Sequence, residues 1–200
     1  MGQNNITDLE LGWAEWVSLP DLGLPAIKAK VDTGAQTSAL HAIAVEPFGN
    51  AKNPQVRFII HPNPDDPHIE VVCSARVVSR RTVVSSNGES ESRYVIETPI
   101  KIGDTVWPIE ITLTNRETMG YRMLLGRSAL TNHGHIKPGT AHIQPELSYD
   151  IYKKRRRKNA TKRPLRIGIL TQEPGNYSNR RLIEAAESRG HVIECIETSR

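Results

Sequence analysis

Cysteine is scarce: Cys73 and Cys195 are the only two in 200 residues, and they stand far apart. They suggest no disulfide framework, so a reducing compartment fits the chain best. Aromatic residues make up only 5% and apolar residues 38%, which points to a soluble globular protein with a modest core. No apolar run reaches the roughly 18 residues that a membrane helix requires. The opening segment, MGQNNITDLELGW, is polar and acidic and lacks the cationic start and apolar stretch of a secretory signal. Neither His-Glu-x-x-His nor Cys-x-x-Cys occurs, so the familiar zinc motifs are absent. These absences lead to the expectation of a cytoplasmic protein with no membrane partner.

Acidic residues are missing from one stretch. Residues 153–163, KKRRRKNATKR, hold eight of the 26 basic residues and no carboxylate. Without that stretch, 18 basic residues face 22 acidic ones, so the formal charge of +4 becomes −4. The chain is a mildly acidic protein carrying one strongly basic segment. Such a block reads first as a solvated linker; its charge is also the one feature that would attract nucleic acid or an acidic protein.

What is present before that block is mostly strand grammar. Residues 26–31 and 55–60 alternate apolar and polar side chains, as half-buried strands do. Residues 76–78 and 81–84 form a β-rich run, and Asn87-Gly88 follows as a strong hairpin signal. Residues 94–102 and 106–113 read as two more strands around a Gly103-Asp104 turn. Pro99 and Pro108 argue for edges or bulges there. A short helix is expected over Ser128–Leu130. Many short strands with regular turn signals indicate an all-β sandwich or barrel.

After the basic block the pattern changes. Residues 165–170 form a compact apolar strand, and Ser178 is placed to cap a helix over residues 179–189. Leu182, Ile183, Ala185 and Ala186 would form its apolar face, with Gly190 as the stop. A strand over residues 192–196 completes a β-α-β unit, the opening of a parallel α/β sheet. Such a unit cannot cover both of its faces, so it reads as the start of a larger domain.

Val31-Asp32-Thr33-Gly34-Ala35 ends an apolar strand, and Met123-Leu-Leu-Gly-Arg-Ser-Ala-Leu130 stands much later. The Asn87-Gly88 hairpin lies between them, where a peptidase would keep its flap. Asp-Thr-Gly alone is most often a turn between strands; the combination is far more specific. With Thr37-Ser-Ala-Leu-His-Ala42 and Gly88-Glu-Ser-Glu-Ser-Arg93, these stretches resemble the retropepsin-like domain of a bacterial family called ATP-dependent zinc proteases, associated with ribosomal-protein glutamate ligases. The resemblance covers residues 13–145. It implies one half of a closed β-barrel aspartic peptidase that works as a dimer.

An aspartic peptidase needs two adjacent carboxylates that share one proton. One Asp-Thr-Gly per chain implies a homodimer that contributes Asp32 twice. The resemblance makes Asp32, Thr33 and Gly34 the catalytic group, with Thr33 bonding across the interface and Gly34 allowing close backbone approach. Ala35, Gln36, Gly126 and Arg127 would support the dyad. Retroviral enzymes carry an Asp where this chain has Gln36, so Arg127 is expected to meet Gln36 without a charge partner there. Arg80, Arg81 and Arg93 flank a polar flap around Asn87 and Gly88, and they are candidates to bind an acidic peptide through bidentate guanidinium contacts. The bland reading makes these arginines exposed strand charges.

The aspartic mechanism requires no cofactor. The weak zinc candidates are His133, His135 and His142, with His133 and His135 spaced to share a strand face. His41, close to Asp32, reads as structural or dimer-facing. Residues 166–191 are similar to the opening of ATP-grasp glutamate ligases, which implies ATP and magnesium only where a full ligase domain follows. The expected organisation is a retropepsin-like domain over 1–147, a basic linker over 148–164, and an ATP-grasp-type α/β fragment over 165–200. The leading expectation is an aspartic endopeptidase acting on acidic or glutamylated protein tails, partnered by a ribosomal-protein glutamate ligase. The alternatives are a non-catalytic binding module for such a ligase and a zinc peptidase.

Overall fold

The computed structural model describes residues 9–84, 88, 90–116, 119–153, 165–173, 175–188 and 191–198. The chain divides into two compact units, Met1–Tyr149 and Asp150–Arg200.

The first unit is built from β1 (Leu9–Gly12), β2 (Ala14–Leu19), β3 (Leu24–Val31), β4 (Ser38–His41), β5 (Ile43–Asn50), β6 (Asn53–Ile60), β7 (Val71–Val84), β8 (Ser90–Ile102), β9 (Thr105–Thr114), β10 (Met123–Leu125), helix α1 (Arg127–Leu130) and β11 (Gly134–Lys137). The class is mainly β. Among the described residues nine strands form one sheet in the order β2-β3-β10-β4-β9-β8-β7-β6-β5. A further pairing, Ser18 with Lys101, joins β2 to β8 and closes six of these strands into a ring. Strand alternation fills the ring with Val17, Leu19, Ile27, Leu40, Ile100, Ile102, Ile111 and Met123, all fully buried. Each such side chain contributes roughly 1.5–3 kcal/mol of burial.

Two sequence expectations about β7, β8 and β9 change. The runs 76–78 and 81–84 belong to one long strand, β7, whose register shifts between Val77 and Ser79. Pro99 and Pro108 are not at a bulge; they face each other across the β8–β9 ladder. Neither proline has an N–H, so neither can donate to the other, and pairing them removes two deficient residues at one position. Their outer sides are spared as well. β7 pairs with β8 only as far as Ile96, and β4 pairs with β9 only from Ile111 onward.

Glu15 is a buried carboxylate that the sequence does not flag. It is fully enclosed in β2 and accepts N–H bonds from Gly12 (2.6 Å), Ile143 (3.0 Å) and Gln144 (3.2 Å). A charge buried with such donors is tolerated, and here it fastens the segment after β11 back onto β2.

The second unit has β12 (Arg166–Thr171), helix α2 (Tyr177–Glu187) and β13 (Val192–Glu197). β12 and β13 are parallel, as a β-α-β unit requires. The cap differs from the expected Ser178: Asn176 holds that place, its side chain accepting the N–H of Asn179 at 2.8 Å. The expected apolar face is also incomplete, since Ala186 is buried but Leu182 is exposed. Leu170, Val192 and Ile196 are exposed too. Gly190 and residues 154–164 lie outside the described residues. No helix among the described residues is long and apolar enough to cross a membrane.

Candidate active site

β3 delivers Asp32. The strand runs between β2, antiparallel to it, and β10, parallel to it. Its last buried residue is Val31, and the ladder extends one step further through the Asp32 N–H, which donates to Leu125 O at 2.9 Å. The chain then turns through residues 32–37 and enters β4, which lies on the other side of β10. The two motifs are therefore one site, although about ninety residues apart in sequence. β10 slots between the strands that flank the turn, and its C-terminal end meets the turn head on.

Backbone bonds weld this junction. Arg127 N–H donates to Ala35 O (2.9 Å) and Ser128 N–H to Gln36 O (3.0 Å). The Ser128 hydroxyl donates to the same Gln36 oxygen at 2.8 Å, and Gly126 N–H donates to Ser38 Oγ at 3.2 Å. Asp32 is half-buried, while Thr33, Gly34 and Gln36 are exposed. Its Oδ1 accepts from Gly34 N–H (2.9 Å) and Ala35 N–H (3.3 Å); Oδ2 takes no bond among the described residues. Two donors thus fix the carboxylate and leave its second oxygen for water or a neighbouring group.

Arg127 does not meet the Gln36 side chain. Its Nη1 donates to the carbonyls of Thr33 (2.8 Å) and Gly34 (3.0 Å). A backbone carbonyl needs no opposite charge to accept from a guanidinium, so the loss of an acidic residue at position 36 does not idle the arginine.

β7 and β8 form a long hairpin paired from Val77–Ile96 to Val84–Ser90. Gly88 has φ +86°, which suits glycine at the tip; Asn87 lies outside the described residues. The three arginines of the hairpin are engaged differently. Arg80 stacks over the Tyr94 ring at 4.9 Å. Arg81 pairs with Glu110 at 2.7 Å on an exposed face. Arg93 is largely buried and its Nε donates to Glu91 at 2.6 Å.

Arg116 escaped the sequence reading, which singles out His41 but not its partner. The Nδ1 of His41, buried at the end of β4, accepts the Arg116 N–H at 2.9 Å. Burial and the charge of Arg93 pull the Arg116 guanidinium below its ordinary value, and Asp32 pulls the other way. Strand alternation would have found this face: Ala39 and His41 on β4 stand beside Thr112 and Thr114 on β9, two residues before Arg116.

The three candidate zinc histidines do not converge. His133 stacks on Trp107 with ring centroids 4.6 Å apart, His142 lies 6.4 Å from the Trp16 ring, and His135 sits in β11 opposite Glu10. Among the described residues no three His, Cys, Asp or Glu side chains group as a metal site. The donor set does not fit zinc.

Residues 10–147 match the family model described as the retropepsin-like aspartic endopeptidase RimB. The chain belongs to the RimB-like family. Residues 165–200 match the RimK PreATP-grasp domain. A probable alpha-L-glutamate ligase of Shewanella pealeana is 45% identical over 196 residues, covering 94% of this chain and 42% of that protein. One from Parasynechococcus marenigrum is 44% identical over 185 residues, covering 92% and 40%. This RimB-like chain thus spans about two fifths of the length of these relatives. Among solved structures, the Legionella pneumophila protein Lpg0085, titled as of unknown function, has a TM-score of 0.58 and 28% identity. It covers 68% of this chain and 98% of its own. The first unit is a retropepsin-like domain related to aspartic proteases.

Proposed function

We propose that this retropepsin-like domain is an aspartic endopeptidase that acts as a homodimer on acidic or glutamylated protein tails. The observation that carries the reading is the Asp32 carboxylate, held through Oδ1 by Gly34 and Ala35, with its second oxygen unbonded on a turn whose neighbours are exposed. One chain supplies one such carboxylate. A two-fold axis beside Thr33 and Gly34 would bring a second Asp32 next to the first.

Two carboxylates in contact hold one proton between them. The ionised one takes a proton from water as the water oxygen bonds to the scissile carbonyl carbon. The protonated one gives its proton to the carbonyl oxygen. The resulting gem-diol collapses, the C–N bond breaks, and the amine leaves with a proton returned by the dyad. Bonds at the junction of β3, β4 and β10 keep this geometry in place, and preorganisation is what makes it effective.

Whereas Arg81 and Arg93 of the β7–β8 hairpin are already paired with Glu110 and Glu91, an acidic substrate is supported by the company the domain keeps. Its relatives are named glutamate ligases, and residues 165–200 match the start of a ligase of that type. A peptidase that trims or controls glutamate additions, in the cytoplasm and beside such a ligase, is coherent with both. ATP and magnesium belong to a full ligase domain, and no step here uses zinc.

The test is mass spectrometry of a peptide ending in several glutamates, incubated with wild type and Asp32→Asn, each with and without EDTA. Cleavage by wild type alone, indifferent to EDTA, is the expected result. No cleavage across acidic and neutral pH, with the peptide still bound, would replace this reading with a binding module for the ligase or its substrate.

A further inference from the structure

Arg116 follows the end of β9 and is held from two sides by its backbone. Its N–H donates to His41 Nδ1 at 2.9 Å, and its carbonyl accepts from Arg122 Nη1 at 3.2 Å. The side chain is half-buried, and Nε is enclosed without a hydrogen-bond partner among the described residues. Nη2 lies 3.1 Å from Met119 Sδ, a weak acceptor. Arg116 forms no ion pair among the described residues, and the carboxylate whose charge it feels is Asp32. Asp32 is already bonded by Gly34 and Ala35. Arg93, the other guanidinium nearby, is occupied by Glu91, which also accepts from the Thr114 hydroxyl at 2.9 Å.

A guanidinium turned partly away from water, with a donor unsatisfied, is costly unless a ligand completes it. Alternation along β3 places Lys30 on the side opposite buried Ala29 and Val31, opposite Leu124 in register and two residues before Asp32. Lys30 thus adds a second positive charge, on the strand that leads into Asp32.

We infer that Arg116 is the specificity-determining residue of this site and binds the side-chain carboxylate of a substrate residue next to the scissile bond. The inference rests on the peptidase reading of Asp32 and names what selects its substrate. Guanidinium presents a fork that a glutamate carboxylate matches and a glutamine amide does not. His41 and Arg122 are positioning residues, holding the backbone from which the fork projects.

The experiment compares two peptides of equal length, one with glutamates and one with glutamines around the cleaved bond. Wild type, Arg116→Gln and Arg116→Lys are assayed as full chains, with thermal unfolding of each recorded. Arg116→Gln should lower kcat/KM on the glutamate peptide by about 10- to 100-fold, the worth of a charged hydrogen bond, and leave the glutamine peptide within about threefold. Arg116→Lys, which keeps charge without the fork, should fall between. Equal losses on both peptides would overturn the inference and make Arg116 a support for Asp32. A second arm measures fluorescence anisotropy of the labelled glutamate peptide with Asp32→Asn and with Asp32→Asn/Arg116→Gln. Weaker binding in the double variant supports the inference even where the wild type cleaves nothing, an outcome that would remove the peptidase reading alone. Unchanged binding would overturn it.

Discussion

A β-carbon on Gly126 would stand 2.6 Å from the carbonyl carbon of Thr37 and 2.8 Å from its oxygen. The two motifs approach one another here with no room for a side chain. Glycine at 126 follows from the junction: β10 has to end against the backbone of the turn that carries Asp32.

Gly126→Ala should therefore destabilise the domain and disturb Asp32 together. The obstacle is backbone, which cannot rotate aside, so the cost should reach roughly 1–3 kcal/mol or more. Thermal unfolding would show it as a drop of several degrees. An unchanged Tm would mean that the junction is looser than these distances imply.

Arg127 closes the same junction from outside, through the carbonyls of Thr33 and Gly34. Arg127→Ala removes two charge-assisted bonds at an exposed position, worth roughly 1–3 kcal/mol. The larger effect is expected on the proposed catalysis, because the freed turn carries Asp32, the carboxylate proposed to activate water. We expect a rate loss of about 10- to 100-fold on a glutamate-rich peptide. Gln36→Ala should do much less, since the structure engages the Gln36 carbonyl and not its amide.

The difference between those two positions shows what the sequence could reveal. Asp32, Gly34, Gly126 and Arg127 were legible because a tight turn against a strand end restricts which residues fit, and that restriction leaves a motif. The partner of Arg127 was not legible, since the carbonyls it contacts carry no residue identity. Arg116 and its contact with His41 escaped for another reason: they meet because β4 pairs with β9, a non-local contact that no short motif records. Pro99 and Pro108 misled locally, each being unfavourable alone in a ladder and acceptable only opposite the other. In the β-α-β unit the elements read correctly, but Leu182 of the expected apolar face is exposed, and Asn176 competed with Ser178 as a cap two residues away and prevailed.

Cys73 offers a check on the core away from the site. Its thiol donates to Leu22 O at 3.3 Å, and burial pushes its pKa up from an ordinary 9.0 to about 12. The native thiol should resist alkylation at pH 8, and unfolding should make it reactive. A raised folded pKa favours the protonated form in the native state. The group therefore leaves stability untouched below pH 9 and weakens it as pH rises from 9 towards 12, where the unfolded thiol ionises and the folded one does not. Urea titrations with wild type and Cys73→Ala should diverge in slope over that window and run parallel below it. Rapid labelling of the native thiol at pH 8 would show that β7 opens readily.

The proposed homodimer makes a quantitative prediction about Asp32. On that reading each active unit needs two copies of one residue, so an Asp32→Asn chain should poison the wild type beyond simple dilution. After unfolding and refolding together at equal amounts, random pairing leaves about one quarter of the dimers with both carboxylates. At constant total protein, activity on the glutamate-rich peptide should follow the square of the wild-type fraction. A linear decline would mean that one chain suffices and that the second acid is some other residue of the same protomer. A quadratic decline with no change in sedimentation would place both Asp32 residues in one site, since a variant that merely failed to pair would leave wild-type dimers undisturbed.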